Sequence, residues 1–162
     1  MTKLLVLFLL FPVLLSNALT QEKIAVLPFQ NMDGELTLNI HSYKLQDSVF
    51  KALQALDPNE EHYQLVPLGE IEMLLSEMNL DPTNPQYQTD MWKAVEMLGV
   101  TRVVTGNFNV RAERFLINAY VYDVDTKLPN LQNQARDIFL PEEKILKSVQ
   151  VIVKRLKPAL IK

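Results

Sequence analysis

Tyr63-Gln64-Leu65-Val66-Pro67 reads as a short strand, and Leu68, Ile71, Leu74, Leu75 and Met78 follow at helical spacing directly behind it. The same change of period occurs once before. Lys23-Ile24-Ala25-Val26-Leu27-Pro28-Phe29 is an apolar, partly β-branched run closed by proline. Between Ile40 and Leu56, side chains Leu45, Val49, Ala52, Leu53 and Leu56 then recur at steps of three and four. Asp57-Pro58-Asn59 stops that helix, because proline disfavours helical geometry in the residue before it. Strand, helix, strand and helix in this order predict a βαβ unit whose first two strands are parallel.

Downstream, Asp81-Pro82-Thr83-Asn84-Pro85 is a loop by composition, and Thr89 or Asp90 is the expected cap of a short helix through Met91, Val95 and Leu98. Gly99 suits the left-handed position that ends it. The pattern then turns to β. Val100–Val110 and Phe115–Val124 are rich in Val, Thr, Phe, Ile and Tyr and flank the polar turn Arg111-Ala112-Glu113-Arg114, which predicts a hairpin. Leu131–Leu140 would be a third, polar strand at an edge or facing solvent. Pro141, Glu142 and Glu143 suit the start of a last helix, which carries Ile145, Val149, Ile152 and Leu156 down one side. The expected fold is therefore an α/β sandwich, a mixed five-stranded sheet packed with helices in the order βαβααβββα.

The first thirty residues bear on location. Lys3 precedes an apolar run from Leu4 to Leu15 and the small-residue exits Ser16-Asn17-Ala18 and Ala18-Leu19-Thr20, the layout of a secretory signal peptide cleaved after Ala18 or Thr20. Twelve residues reach only about 18 Å as a helix, short of the roughly 20 residues that span a bilayer. Residues 1–18 are thus expected to be a leader and 19–162 a single exported domain, large enough to bury a real core. The chain has no cysteine, which excludes both disulfides and the lipid attachment of a lipoprotein. Its net charge is −3 and becomes −4 without Lys3, with no basic block for nucleic acid or anionic lipid.

Catalytic sets are hard to assemble from these residues. Ser48, Ser76 and Ser148 sit inside predicted helices, Ser42 lies near a helix start, and no G-x-S-x-G is present. His41 and His62 read as solvated surface histidines, too few for a zinc site. Asp123 and Asp125 form a D-x-D that lacks the later oxygen ligands of a calcium loop and reads as a turn. Glu60-Glu61 and Glu142-Glu143 are sequence neighbours and do not face one another. Thr105-Gly106-Asn107 lacks the spacing of a phosphate loop; one glycine inside a strand pattern more often marks a bulge or close packing. A non-enzyme without metal or cofactor is expected. Core packing is the ordinary reading of Phe29 and Trp92, and an exposed aromatic anchor for a partner is the alternative. Phe29, Asn31, Asp33, Trp92 and Asn107 are the candidate partner-binding residues. The loops after Phe29 and Gly106 would equally serve a small-ligand or glycan site at the strand ends.

Taken together, Ile24-Ala25-Val26-Leu27-Pro28-Phe29, Leu65-Val66-Pro67 before a helix with Glu77, Leu98-Gly99-Val100 through Val103-Val104-Thr105-Gly106, and Ala119–Thr126 form an ordered set of signposts. The set resembles the periplasmic α/β domain shared by the amino-terminal part of TolB, the curli secretion lipoprotein CsgG and the flagellar outer-membrane protein FlgO. The resemblance implies a periplasmic, bacterial cell-envelope module that binds envelope proteins, works within an oligomer or a secretion or assembly apparatus, and has no catalytic residues. Three departures stand out. The lipidated cysteine of the lipoprotein members is missing, which leaves a soluble or peripherally held relative without a transmembrane span once the leader is gone. The long amphipathic hairpins of pore-forming members are absent, and the Asp125-Thr126-Lys127 turn replaces a glycine common in the family.

Overall fold

The computed structural model describes residues 21–161, so the expected leader lies outside the described residues. The elements run β1 (Glu22–Val26), β2 (Gln30–Asn31), α1 (Asn39–Leu56), β3 (Tyr63–Leu65), α2 (Leu68–Glu77), α3 (Tyr87–Leu98), β4 (Arg102–Arg111), β5 (Arg114–Asp123), β6 (Ala135–Pro141) and α4 (Ser148–Leu160). They build one mixed sheet in the order β3-β1-β4-β5-β6, with β2 paired to the outer part of β4. Strands β1, β2 and β3 run parallel to their neighbours, and β4, β5 and β6 form an antiparallel meander. The α/β sandwich expected from periodicity is the fold observed.

Its sheet has six strands rather than five, and the extra one has a local cause. β1 and β2 both pair with β4, at Val26↔Val104 and Gln30↔Asn107, so four steps along the first strand match three along the second. One residue is bulged out around Pro28, which has no N–H to give to a ladder. The backbone groups freed there find other partners. Leu27 N donates to Val104 O at 2.9 Å, and the Pro28 carbonyl accepts from Tyr87 Oη at 3.2 Å and Thr105 Oγ1 at 3.0 Å. Gln46 Nε2 of α1, itself buried, donates to Val26 O at 2.8 Å.

Two apolar clusters lie on opposite sides of the sheet. Ile24, Val26, Phe29, Val104, Phe108 and Ile117 pack against α1 and α4. Ala25, Leu27, Val103 and Tyr122 pack against α2 and α3. Strand alternation divides the apolar residues between the two sides, so β1 is buried on both.

Several boundaries differ from the sequence expectation. α3 begins at Tyr87, because Asn84 Oδ1 accepts the Gln86 N–H at 2.9 Å and turns the chain ahead of Thr89 and Asp90. β6 begins at Ala135, since Asn130 Oδ1 accepts from Gln132 N and Asn133 N at 3.1 and 3.0 Å and holds Leu131–Gln134 in a turn. The polar β6 is indeed an edge strand. Beyond Pro141, residues Glu142–Lys147 wind as a 3-10 helix, and the Ser148 hydroxyl bonds the Ile145 carbonyl three residues back before α4 starts. Gly99 ends α3 at φ 60°, as its position suggests.

Candidate docking face

The sheet is covered unevenly. On the α1/α4 side, Val104, Phe108, Phe115, Ile117, Val121 and Ile138 are all buried. On the opposite side, α2 and α3 close over β3, β1 and the inner end of the hairpin, where Val103 and Tyr122 are buried. Going outward along β4 and β5, the facing pairs on this side are Thr105↔Tyr120, Asn107↔Asn118, Asn109↔Leu116 and Arg111↔Arg114, and Leu116 faces Phe139 of β6. From Asn107 outward these side chains are half-buried or exposed, and Phe139 is 40% exposed. The alternation of β4 and β5 therefore sets a complete core against an open, amide-rich face.

Local bonds hold this face in shape. Asn118 Nδ2 donates to Asn107 Oδ1 at 2.9 Å, and Asn118 Oδ1 accepts the Asp137 N–H at 2.9 Å, fixing the irregular register between β5 and β6. The Arg114 guanidinium stands 4.5 Å from the Phe139 ring centroid and donates to the Phe139 carbonyl at 3.1 Å. An aromatic row continues inward: Tyr120 lies 5.8 Å from Tyr122, and Tyr122 meets Trp92 edge-on at 5.7 Å. Burial raises the Tyr122 phenol pKa, nearby Tyr120 adds to the rise and the Gln88 bond opposes it, so the phenol stays neutral at pH 7. The Asn109 amide makes no hydrogen bond with the described residues and is free to bind. Together these groups offer amide hydrogen bonds, flat aromatic area and two arginines at the tip.

Of the candidate partner-binding residues, Asn107 lies on this face and Trp92 at its inner border, both half-buried. The other three belong to the opposite side and to the loop. Phe29 is fully buried with its ring against Gly106, so it is a core residue and not an exposed anchor. Asn31 is 2% exposed: its Nδ2 donates to Glu35 O at 2.7 Å and its Oδ1 accepts from Asp33 N at 3.2 Å, which makes it the staple of the loop. Asp33 is exposed, and its Oδ2 accepts the Val110 N–H at 2.7 Å, tying that loop to β4. Leu116, Asn118, Tyr120 and Phe139 were not anticipated, although Asn107, Asn109 and Asn118 recur at alternate strand positions.

His41 also departs from expectation. It is 6% exposed, edge-on to Phe115 at 4.8 Å, with Nε2 3.2 Å from Glu142 Oε1, because it continues the buried stripe of Leu45 and Val49 one turn earlier. His62 is exposed as expected, with Nδ1 3.5 Å from Asp57. Asp123 makes the expected turn, accepting from Thr126 N and Oγ1 at 2.9 and 2.8 Å. Among the described residues no three His, Asp or Glu side chains are grouped to hold a metal, and no helix is long and apolar enough to cross a membrane.

The strand-end ligand site meets a steric obstacle. The cavity lined by Gln30, Tyr87, Thr105, Gly106, Asn107 and Tyr122 holds about 10 Å³, room for at most one water. A larger hollow of about 360 Å³ lies beside Arg102 and Asp123, where the Arg102 guanidinium is engaged by the Glu22 carboxylate at 2.8 Å and by the Ala159 carbonyl.

No protein-family model matches the chain, and no curated protein matches it. Solved structures with a similar fold include the LpoB C-terminal domain from Salmonella enterica, at 15% identity over 75% of this chain and 83% of that one, with a TM-score of 0.47. TolB from Acinetobacter baumannii, one of the proteins its signposts resemble, is 21% identical over 87% of this chain and 28% of its own length, with a TM-score of 0.46. The lipoprotein GNA1162 from Neisseria meningitidis is 15% identical over 85% of this chain and 98% of that one, at 0.46. Likeness at this level carries no argument about partner or activity.

Proposed function

We propose that this chain is a non-enzymatic, exported module of the bacterial cell envelope that works by docking another protein on the open face of its β4–β5–β6 meander. The observation that carries the reading is the half-covered sheet itself. A face with Leu116, Tyr120 and Phe139 half-buried or exposed among asparagine amides, that of Asn109 without a bond to the described residues, has the mixed aromatic and polar make-up of a partner surface, and an arginine rim suits an interface edge. The leader-like first eighteen residues support the envelope location. The resemblance of the signposts to TolB, CsgG and FlgO supports an accessory role in assembly, secretion or transport.

The test is photocrosslinking in the source bacterium, with a photoreactive residue placed at Asn109 or Phe139 and, as a control, at Lys157 on α4. The reading expects one or a few envelope proteins joined to the first two positions and absent from the third. Crosslinks from none of the face positions, or the same products from all three, would overturn it.

A further inference from the structure

Charge is sorted by side of the sheet. Residues 68–98, which form the α2/α3 layer, carry six carboxylates against one ammonium, a net −5. The α1/α4 layer, residues 39–56 and 142–160, carries seven Lys and Arg against three carboxylates, a net +4. Even spacing along the sequence conceals this, because the chain visits the two sides in turn.

Two exposed stripes concentrate the difference. On α2, Glu70, Met73 and Glu77 share one face, and Met73 is 59% exposed. On α4 and the residue before it, Lys147, Val151 and Lys154 share another, and Val151 is 36% exposed. None of the four charged groups has an ion-pair or hydrogen-bond partner among the described residues. Both stripes read charge, apolar, charge over eight residues, about 10 Å of helix from first to last. The steps are three then four in the first and four then three in the second. Those spacings coincide when the helices lie antiparallel: Glu70 meets Lys154, Met73 meets Val151 and Glu77 meets Lys147.

We propose that the α4 stripe of one copy docks antiparallel on the α2 stripe of a second copy, so that the protein self-associates head to tail. The two stripes lie on opposite sides of the sheet. The contact is therefore heterologous and leaves a free stripe at each end, giving an open row or a ring instead of a closed two-fold dimer. Exposed ion pairs are individually weak and screened by salt, so the association is concentration-dependent and salt-sensitive.

Sedimentation velocity on the protein purified after export tests this, over a range of concentrations at low salt and at about 1 M salt, where the screening length falls to about 3 Å. Mass rising with concentration at low salt and returning to the monomer at high salt is expected. Glu70→Lys/Glu77→Lys and Lys147→Glu/Lys154→Glu should each stay monomeric with unchanged circular dichroism, and mixing the two variants should restore assembly. A monomeric wild type at every concentration, variants that associate as the wild type does, or a mixture that stays monomeric would each overturn the contact. Photocrosslinks at Asn109 and Phe139 report the docking role separately, so loss of self-association leaves that reading standing.

Discussion

The Phe29 ring lies directly against Gly106, in the space a side chain at that position would need. A β-carbon at 106 would stand 2.6 Å from Phe29 Cε1 and would also collide with the Asn118 carbonyl. One collision involves a ring held in a packed core and the other backbone, so neither neighbour can easily give way.

Gly106→Ala is accordingly expected to destabilise the protein by about 3 kcal/mol, at the upper end of overpacking costs. Phe29→Ala should cost about 3–5 kcal/mol through the cavity it opens. Trimming the ring cannot rescue Gly106→Ala, since the Asn118 carbonyl remains. Urea midpoints of the two single variants and the double decide this; a double variant more stable than Phe29→Ala would contradict it.

Asp57 contributes to the acid limb of stability. Burial pushes its carboxyl pKa up, but amide bonds from His62, Tyr63 and Glu61, helped by the His62 side chain, outweigh that and hold it below the usual value. A depressed folded pKa means a contribution complete above the unfolded value near 4 and lost as pH falls through the folded one. Asp57→Asn should therefore cost about 2 kcal/mol at pH 7, with the gap to wild type narrowing from about pH 4 downward. Denaturation midpoints across pH 2–7 check it, and a gap that stays constant would refute it.

The β4–β5 turn carries avoidable strain. Ala112 and Glu113 sit at φ 46° and 59°, left-handed geometry that Asn-Gly adopts at far lower cost. Ala112→Asn/Glu113→Gly should stabilise the fold by about 1 kcal/mol, read as a higher melting temperature. No change in melting temperature would mean that the strain is relieved elsewhere.

On the open face, Leu116→Asp should leave the urea midpoint nearly unchanged, because the side chain is already half-exposed, while abolishing crosslinks from Asn109. Crosslinks that survive would move the docking surface away from this face.

Element type was legible in the sequence wherever the period was strong: the stripes of α1, α2 and α4, the βαβ start and the hairpin. β2 was hidden because two residues have no period and Pro28 breaks the run. The start of β6 depended on Asn130 capturing two backbone amides, a side-chain choice that hydropathy does not encode. The docking face was half legible. Trp92 and Asn107 are conspicuous residues near it, but Phe29 and Asn31 are just as conspicuous and lie on the other side, because sidedness depends on the bulge. His41 falls four residues before Leu45 on a buried stripe, so its position was a better guide than its polarity.

The extra residue at Pro28 acts as a frameshift in the strand's two-residue reading frame. Ile24 and Val26 point toward α1, Ala25 and Leu27 toward α3, and unbroken counting would send Phe29 toward α3 as well. The insertion resets the count, so Phe29 falls with Ile24 and Val26, and Gln30 is left to line the α3 side. Deleting that one residue would leave Phe29 and Gln30 on their present sides in an uninterrupted frame, whereas flattening the bulge with every residue kept would exchange them and put the largest side chain of the segment where the cavity has room for a single water.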